Sequence, residues 1–159
     1  MARTVTTYDI VLSCPTDVEI EKEIIKEVIE DFNRTIGNKL NTNLNLKHWS
    51  TDSYAQSGGS AQELLNKQFI DDSDMIICIF WGRMGTPTDN YESGTAEEMQ
   101  KAIENGKQVF LYFSNAPISP RELNTEQFDR VKEFEKKIQD MGMVYYKNYN
   151  DIEEFKKMI

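Results

Sequence analysis

The sequence predicts an α/β domain of flavodoxin type, a three-layer sandwich around a five-stranded parallel sheet in the order 2-1-3-4-5. Three observations predict it. Strand-like and helix-like segments alternate from end to end, without an internal repeat. The segment Met75-Ile76-Ile77-Cys78-Ile79-Phe80-Trp81 is apolar throughout, as a strand covered on both faces must be. A chain of 159 residues holds one core and not comfortably two.

The elements follow in order. Tyr8-Asp9-Ile10-Val11-Leu12-Ser13 reads as the first strand, broken by Pro15. Thr16-Asp17-Val18-Glu19 has the form of a capping box. The helix behind it carries Ile20, Ile24, Ile25, Val28, Ile29, Phe32 and Ile36 at helical spacing, with Gly37 as its stop. Asn43 to Trp49 reads as an alternating strand with Leu44, Leu46 and His48 on one side. Residues 50–60 form a polar loop longer than such connections usually are. Ser60-Ala61-Gln62-Glu63, a second capping box, opens a helix to about Asp72. The central strand from Met75 leads into the loop Gly82-Arg83-Met84-Gly85-Thr86-Pro87-Thr88, and a helix follows from Thr95 to Asn105, stopped by Gly106. Val109 to Phe113 is the fourth strand. Beyond Pro117 and Pro120, a long helix spaces Phe128, Val131, Phe134, Ile138 and Met141 on one face, and Met143 to Tyr146 reads as the fifth strand. Asp151 caps a last helix that runs to the apolar residue Ile159 without a stop signal, so residues 1–159 are expected to be one domain from the N-terminal part of a longer protein.

Composition narrows the function. Lysine and arginine total 18 against 27 acidic residues, a formal charge of −9, which argues against nucleic acid or an anionic membrane as partner. No apolar run approaches the length of a membrane span and no signal peptide opens the chain. Only two cysteines occur, Cys14 and Cys78, without metal-ligand spacing. A cytoplasmic location is the expectation. No metal site is expected, since the single histidine, His48, shares a strand face with leucines.

In the order 2-1-3-4-5 the crevice opens where the first and third strands end. The residues placed there are Ser13 to Asp17 and Trp81 to Thr88. A phospho-acceptor receiver would need acids at the ends of strands one and three, where Ser13-Cys14-Pro15 and Trp81 stand instead. A flavin-binding phosphate loop would need a Ser/Thr-rich turn, and neither a dinucleotide glycine fingerprint nor a Walker sequence is present. What remains is Trp81 with the loop Gly82-Arg83-Met84-Gly85, which offers an aromatic face, backbone N–H groups and one cation. Beside it, Ser93-Gly94-Thr95-Ala96-Glu97-Glu98-Met99 starts a helix. Thr95 with Glu98 has capping-box spacing, which alone would account for the glutamate; the helix start also aims that carboxylate at the crevice.

These motifs (Tyr8 to Ser13 with Pro15-Thr16-Asp17, His48-Trp49-Ser50-Thr51-Asp52, Trp81 to Thr88, and Ser93 to Glu98) resemble the TIR-like effector domains of bacteria, the type fused ahead of STAND-type NTPases and other defence proteins. The Ser-Gly-Thr-Ala-x-Glu stretch is also similar to nucleoside deoxyribosyltransferases. The resemblance implies cleavage of NAD+, as substrate and not as cofactor, between nicotinamide and ribose. Glu98 takes the catalytic place, with Glu97 as the alternative. It further implies that Ser13, Pro15, Thr16, Trp81, Gly82 and Arg83 bind the substrate, and that the 50–60 loop mediates TIR-to-TIR self-association. A non-catalytic interaction module and a nucleoside or nucleotide base hydrolase or transferase are the competing readings.

Overall fold

A computed structural model describes residues 1–159. The alternation of elements folds into a five-stranded sheet in the order β2-β1-β3-β4-β5, and every pairing is parallel. The strands are β1 (Thr6–Ser13), β2 (Thr42–Lys47), β3 (Met75–Phe80), β4 (Gln108–Ser114) and β5 (Tyr146–Tyr149). Ser13 pairs with Cys78 and Phe80 with Phe113, so β3 runs past the end of β1 and bounds the crevice between them.

Each face of the sheet has its own core. Val11, Ile76, Cys78, Phe80, Leu111 and Phe113 face α5 (Gly94–Glu104) and α6 (Thr125–Met141), together with Phe69 and Ile70 of the π-type turn Asn66–Ile70 that extends α4 (Ala61–Leu65). Ile10, Leu12, Ile77, Ile79 and Tyr112 face α1 (Glu19–Phe32) and α7 (Ile152–Met158). The division follows from the strand period of two. It also decides where the ends of the strands point: Ser13 has the parity of Val11, and Trp81 has the parity of Ile77 and Ile79, against which it packs. The two short helical turns are α2 (Asn38–Leu40) and α3 (Trp49–Asp52).

Several local expectations are corrected. The expected capping box from Thr16 to Glu19 does not form: α1 begins only at Glu19, its cap is Val18 without a side-chain bond, and Asp17 accepts from Gly82 N. Of the expected apolar face, Ile24, Ile25 and Ile29 are buried, whereas Ile20, Val28 and Ile36 are exposed. Gly37 does not stop the helix; a side chain there would put Cβ 2.5 Å from Thr42 O, so it serves close approach, and Asn41 in the left-handed region makes the turn into β2. His48 leaves the strand and caps α3. The fifth strand lies at Tyr146–Tyr149: Met143 and Tyr145 are exposed, and it is Tyr149 that is fully buried, donating its hydroxyl to Glu21 Oε1 at 2.8 Å. The caps at Ser60 and Asp151 and the stop at Gly106, φ +69°, are as the sequence predicts. No helix is long and apolar enough to cross a membrane.

Candidate functional site

A cavity of about 420 Å³ opens at the carboxyl ends of β1 and β3, where parallel α/β sheets place their ligands. Ser13, Pro15, Thr16, Arg83 and Glu98 line it, joined by Trp49, Gln62 and Gln127. At its back sits Glu98, 8% exposed. The helix that carries it starts one step earlier than the motif suggests: Ser93 is the cap, accepting from Ala96 N at 3.1 Å. Thr95 with Glu98 therefore makes no capping box. Glu98 falls in the second turn of α5 and is free to face the cavity.

Its carboxylate is held from both sides. Ser13 Oγ donates to Oε2 in a short hydrogen bond, and Gln62 Nε2 donates to Oε1 at 3.2 Å. The same amide of Gln62 donates to Asn66 Oδ1 at 3.1 Å, and Asn66 Nδ2 donates to Glu97 Oε1 at 3.0 Å. Two carboxamides on α4 and its π-type extension thus sort two adjacent glutamates. Glu97 is held by Asn66, and Glu98 is turned to the cavity. Gly94 makes the contact feasible, since a Cβ there would stand 2.5 Å from Gln62 Oε1. Burial holds the Glu98 carboxyl above its ordinary range; the bonds from Ser13 and Gln62 pull it back, and Glu97 adds to the rise. The side chain lies beyond the first turn of α5, where the helix dipole is weaker and offsets burial less.

Trp81 and Gly82 do not line this cavity. They line a second one of about 430 Å³, with Asp17, Ile118, Arg121 and Asn124, and Arg83 borders both. Trp81 Nε1 donates to Ala116 O at 2.8 Å. Gly82 N donates to Asp17 Oδ2 at 2.9 Å, and Asp17 Oδ1 is buried without a partner. Burial raises the Asp17 carboxyl, opposed by the Gly82 N–H and the Arg83 guanidinium.

The wall of the first cavity at Met84 and Gly85 is held from α6. Gln127 Oε1 accepts from Met84 N and Gly85 N, each at 3.0 Å. Arg130 donates to Gly85 O at 3.0 Å and to Glu92 O. Gly85, at φ +98°, takes a conformation that side chains disfavour.

The thiol of Cys14 borders the first cavity and lies 4.0 Å from His48 Nε2. Burial pushes this thiol up to about 12, so it is no thiolate nucleophile at neutral pH. His48 is buried, shares a 2.6 Å contact with Ser50 Oγ, and is held below its usual range by burial first and Lys22 second. No group of three or more His, Cys, Asp or Glu side chains is placed to hold a metal ion.

Residues 13–159 match the family described as a domain of unknown function (DUF4062). The chain belongs to the DUF4062 family. No curated protein matches it. Among solved structures, a homoserine dehydrogenase from S. aureus is 18% identical over 91% of this chain and 33% of its own, with a TM-score of 0.43. The DUF4062 domain thus spans about a third of that enzyme's length. A short-chain flavodoxin associated with a non-canonical PDU bacterial microcompartment is 14% identical over 96% of this chain and 93% of its own, with a TM-score of 0.38. Flavodoxin 1 from Bacillus cereus is 13% identical over 96% and 90%, with a TM-score of 0.37.

Sequence reasoning missed three side chains in this DUF4062 domain: Gln62, Asn66 and Gln127. All are carboxamides, for which no motif exists. Asp17 is placed at the crevice by the sequence, and the structure puts it in the second cavity.

Proposed function

We propose that this domain hydrolyses the nicotinamide–ribose bond of NAD+, as the effector part of a bacterial immune protein activated by assembly. One observation carries the reading: a buried glutamate stands at the back of a cavity at the sheet's switch point, with both oxygens fixed by donors from different elements. The resemblance of the Trp81–Thr88 and Ser93–Glu98 stretches to TIR-like effector domains supports it, and the pairing of Glu97 with Asn66 favours Glu98 over its neighbour.

The chemistry asks little of the protein. The bond between ribose C1′ and the pyridinium nitrogen breaks with both electrons going to nitrogen, so nicotinamide leaves neutral and needs no general acid. C1′ develops oxocarbenium character, which one preoriented carboxylate stabilises. Water then adds to C1′ and gives up a proton, leaving ADP-ribose. Ser13 and Gln62 hold Glu98 in one rotamer before the substrate arrives, so little reorganisation is required during the reaction.

The test is nicotinamide release from NAD+ by concentrated, assembled protein. Wild type is expected to turn over and Glu98→Ala to lose about 10³-fold, the scale of removing a group aimed at developing charge. Turnover that survives Glu98→Ala removes the reading. Base release from nucleosides and not from NAD+ would redirect it to a base hydrolase or transferase. Association through the 50–60 loop, whose residues are all exposed, with no change in nucleotide would leave the interaction module.

A further inference from the structure

Gln127 reaches the Glu98 cavity from α6, and the chain itself uses only half of its carboxamide. We propose that Gln127 Nε2 donates to the carbonyl oxygen on the pyridine ring of the leaving group, with that ring laid on Trp49, so that Gln127 sets which dinucleotide the cavity accepts. This rests on the glycohydrolase reading and deepens it by naming what holds the part of the substrate that departs.

Three observations carry it. The first is the orientation of the carboxamide. Met84 N and Gly85 N both donate to Gln127 Oε1, each at 3.0 Å. An amide nitrogen cannot take the place of that oxygen against two N–H groups, so the side chain is locked with its oxygen on the loop and its nitrogen away from it. The backbone N–H of Gln127 is fixed as well, donating to the cap Asn124 Oδ1 at 3.0 Å.

The second is the free nitrogen. Gln127 Nε2 has no partner in the chain and stays accessible; the side-chain atoms buried without a partner are Asp17 Oδ1 and Thr88 Oγ1. The other carboxamide of this cavity, Gln62, gives its amide to Glu98 and Asn66. The charged residues of the lining are one cation and one anion, Arg83 and Glu98. Arg83 is the stronger partner for a phosphate, and a fixed neutral N–H matches a neutral carbonyl oxygen.

The third is the aromatic face. Trp49 lines the same cavity and is 43% exposed. Its turn, α3, is braced on every side: Ser50 N donates to His48 Nδ1 at 3.2 Å, His48 N to Asp52 Oδ2 at 2.8 Å, and Lys22 Nζ to Ser50 Oγ at 3.1 Å. The indole is therefore in place before a ligand arrives. A pyridinium is planar and cationic, and an indole face attracts both properties.

The experiment compares NAD+ with its 3-acetylpyridine analogue, in which a methyl group replaces the amide NH2. Both offer wild type a carbonyl oxygen. Gln127→Glu keeps an oxygen for Met84 N and Gly85 N but turns the donor into an acceptor. NAD+ answers by rotating its NH2 towards that oxygen, whereas the acetyl group has no N–H to offer. The ratio of kcat/KM for the analogue to that for NAD+ is expected to fall about 30-fold in Gln127→Glu, the cost of leaving a charged acceptor against another acceptor. A ratio cancels whatever the new charge does to Glu98 or to the loop. Calorimetric titration should show the same change in the ratio of Kd values. On wild type, a dinucleotide whose pyridine lacks the 3-carbonyl should bind about tenfold more weakly than the acetyl analogue. The proposal is overturned if Gln127→Glu weakens both dinucleotides alike, or if wild type binds the ring without a carbonyl as tightly. The two readings fail separately. Nicotinamide release with an unmoved ratio keeps the reaction and loses the contact, and a shifted Kd ratio without release keeps the contact and loses the reaction. If neither dinucleotide binds, both fall.

Discussion

Two glutamates of this domain are buried to nearly the same degree, and each accepts a hydroxyl hydrogen bond from a strand end. Glu21, 5% exposed, takes the hydroxyl of Tyr149 at the end of β5; Glu98, 8% exposed, takes that of Ser13 at the end of β1. Beyond that the surroundings differ. Tyr149 is fully buried and packs in a tilted pair with Phe155, with ring centroids 4.8 Å apart and planes at 41°, and Glu21 lines none of the principal cavities. Glu98 lines one, and carries a second donor that belongs to another helix. Burial of a carboxylate therefore does not mark a site here. Burial with an opening in front of it does.

The largest expected contrast is in activity. Glu98→Gln keeps shape and polarity but removes the charge, and should lower nicotinamide release about 10³-fold, while Glu21→Gln should leave it near wild type. Equal losses in the two variants would erase the distinction.

Stability should divide them the other way. Removing Glu21 leaves the Tyr149 hydroxyl buried without its acceptor, so Glu21→Ala should cost about 2 kcal/mol in denaturant unfolding. Glu98→Gln should raise Tm at neutral pH. The sign follows from linkage: the folded carboxyl is held above its unfolded value, so Glu98 contributes stability below the unfolded pKa and loses it as pH rises through the folded one. The Tm difference between Glu98→Gln and wild type should therefore shrink towards zero as pH falls below the ordinary carboxylate range.

A smaller effect sharpens the role of Gln62. The acid limb of the pH–rate profile should lie above the usual carboxylate pKa, because the ionised form is the one required. Gln62→Leu removes a donor to that ionised form and should move the limb upward further, with kcat reduced and Tm little changed. An unmoved limb would make Gln62 a packing residue.

The contrast also shows how far the sequence could be read. The fold was legible because apolar β3 and the alternation of elements admit few other arrangements. Glu98 was legible as a residue, yet for the wrong local reason. The cap stands at Ser93, and Ser-Gly-Thr offers two hydroxyls that pattern alone cannot rank. Trp81 was placed on the wrong side although strand parity contains the answer: Phe80 faces α5 and Trp81 faces away. The fifth strand was drawn to the apolar run at Met143, but an edge strand needs only one buried face, which Tyr149 supplies. Gln62, Asn66 and Gln127 were beyond reach, because a carboxamide acquires its role only from partners distant in the chain.

The strip from Met84 to Glu92 has a mechanical consequence. It is moored through Gln127 and Arg130 to a helix on the flank, and its amide hydrogens at Met84 and Gly85 go to a side chain of that helix, not to a strand. Those two amides should exchange with deuterium at the rate at which α6 opens, faster than the amides of β3, which ends nearby at Phe80. A force that lifts α6 would loosen that wall of the Glu98 cavity while leaving the sheet intact.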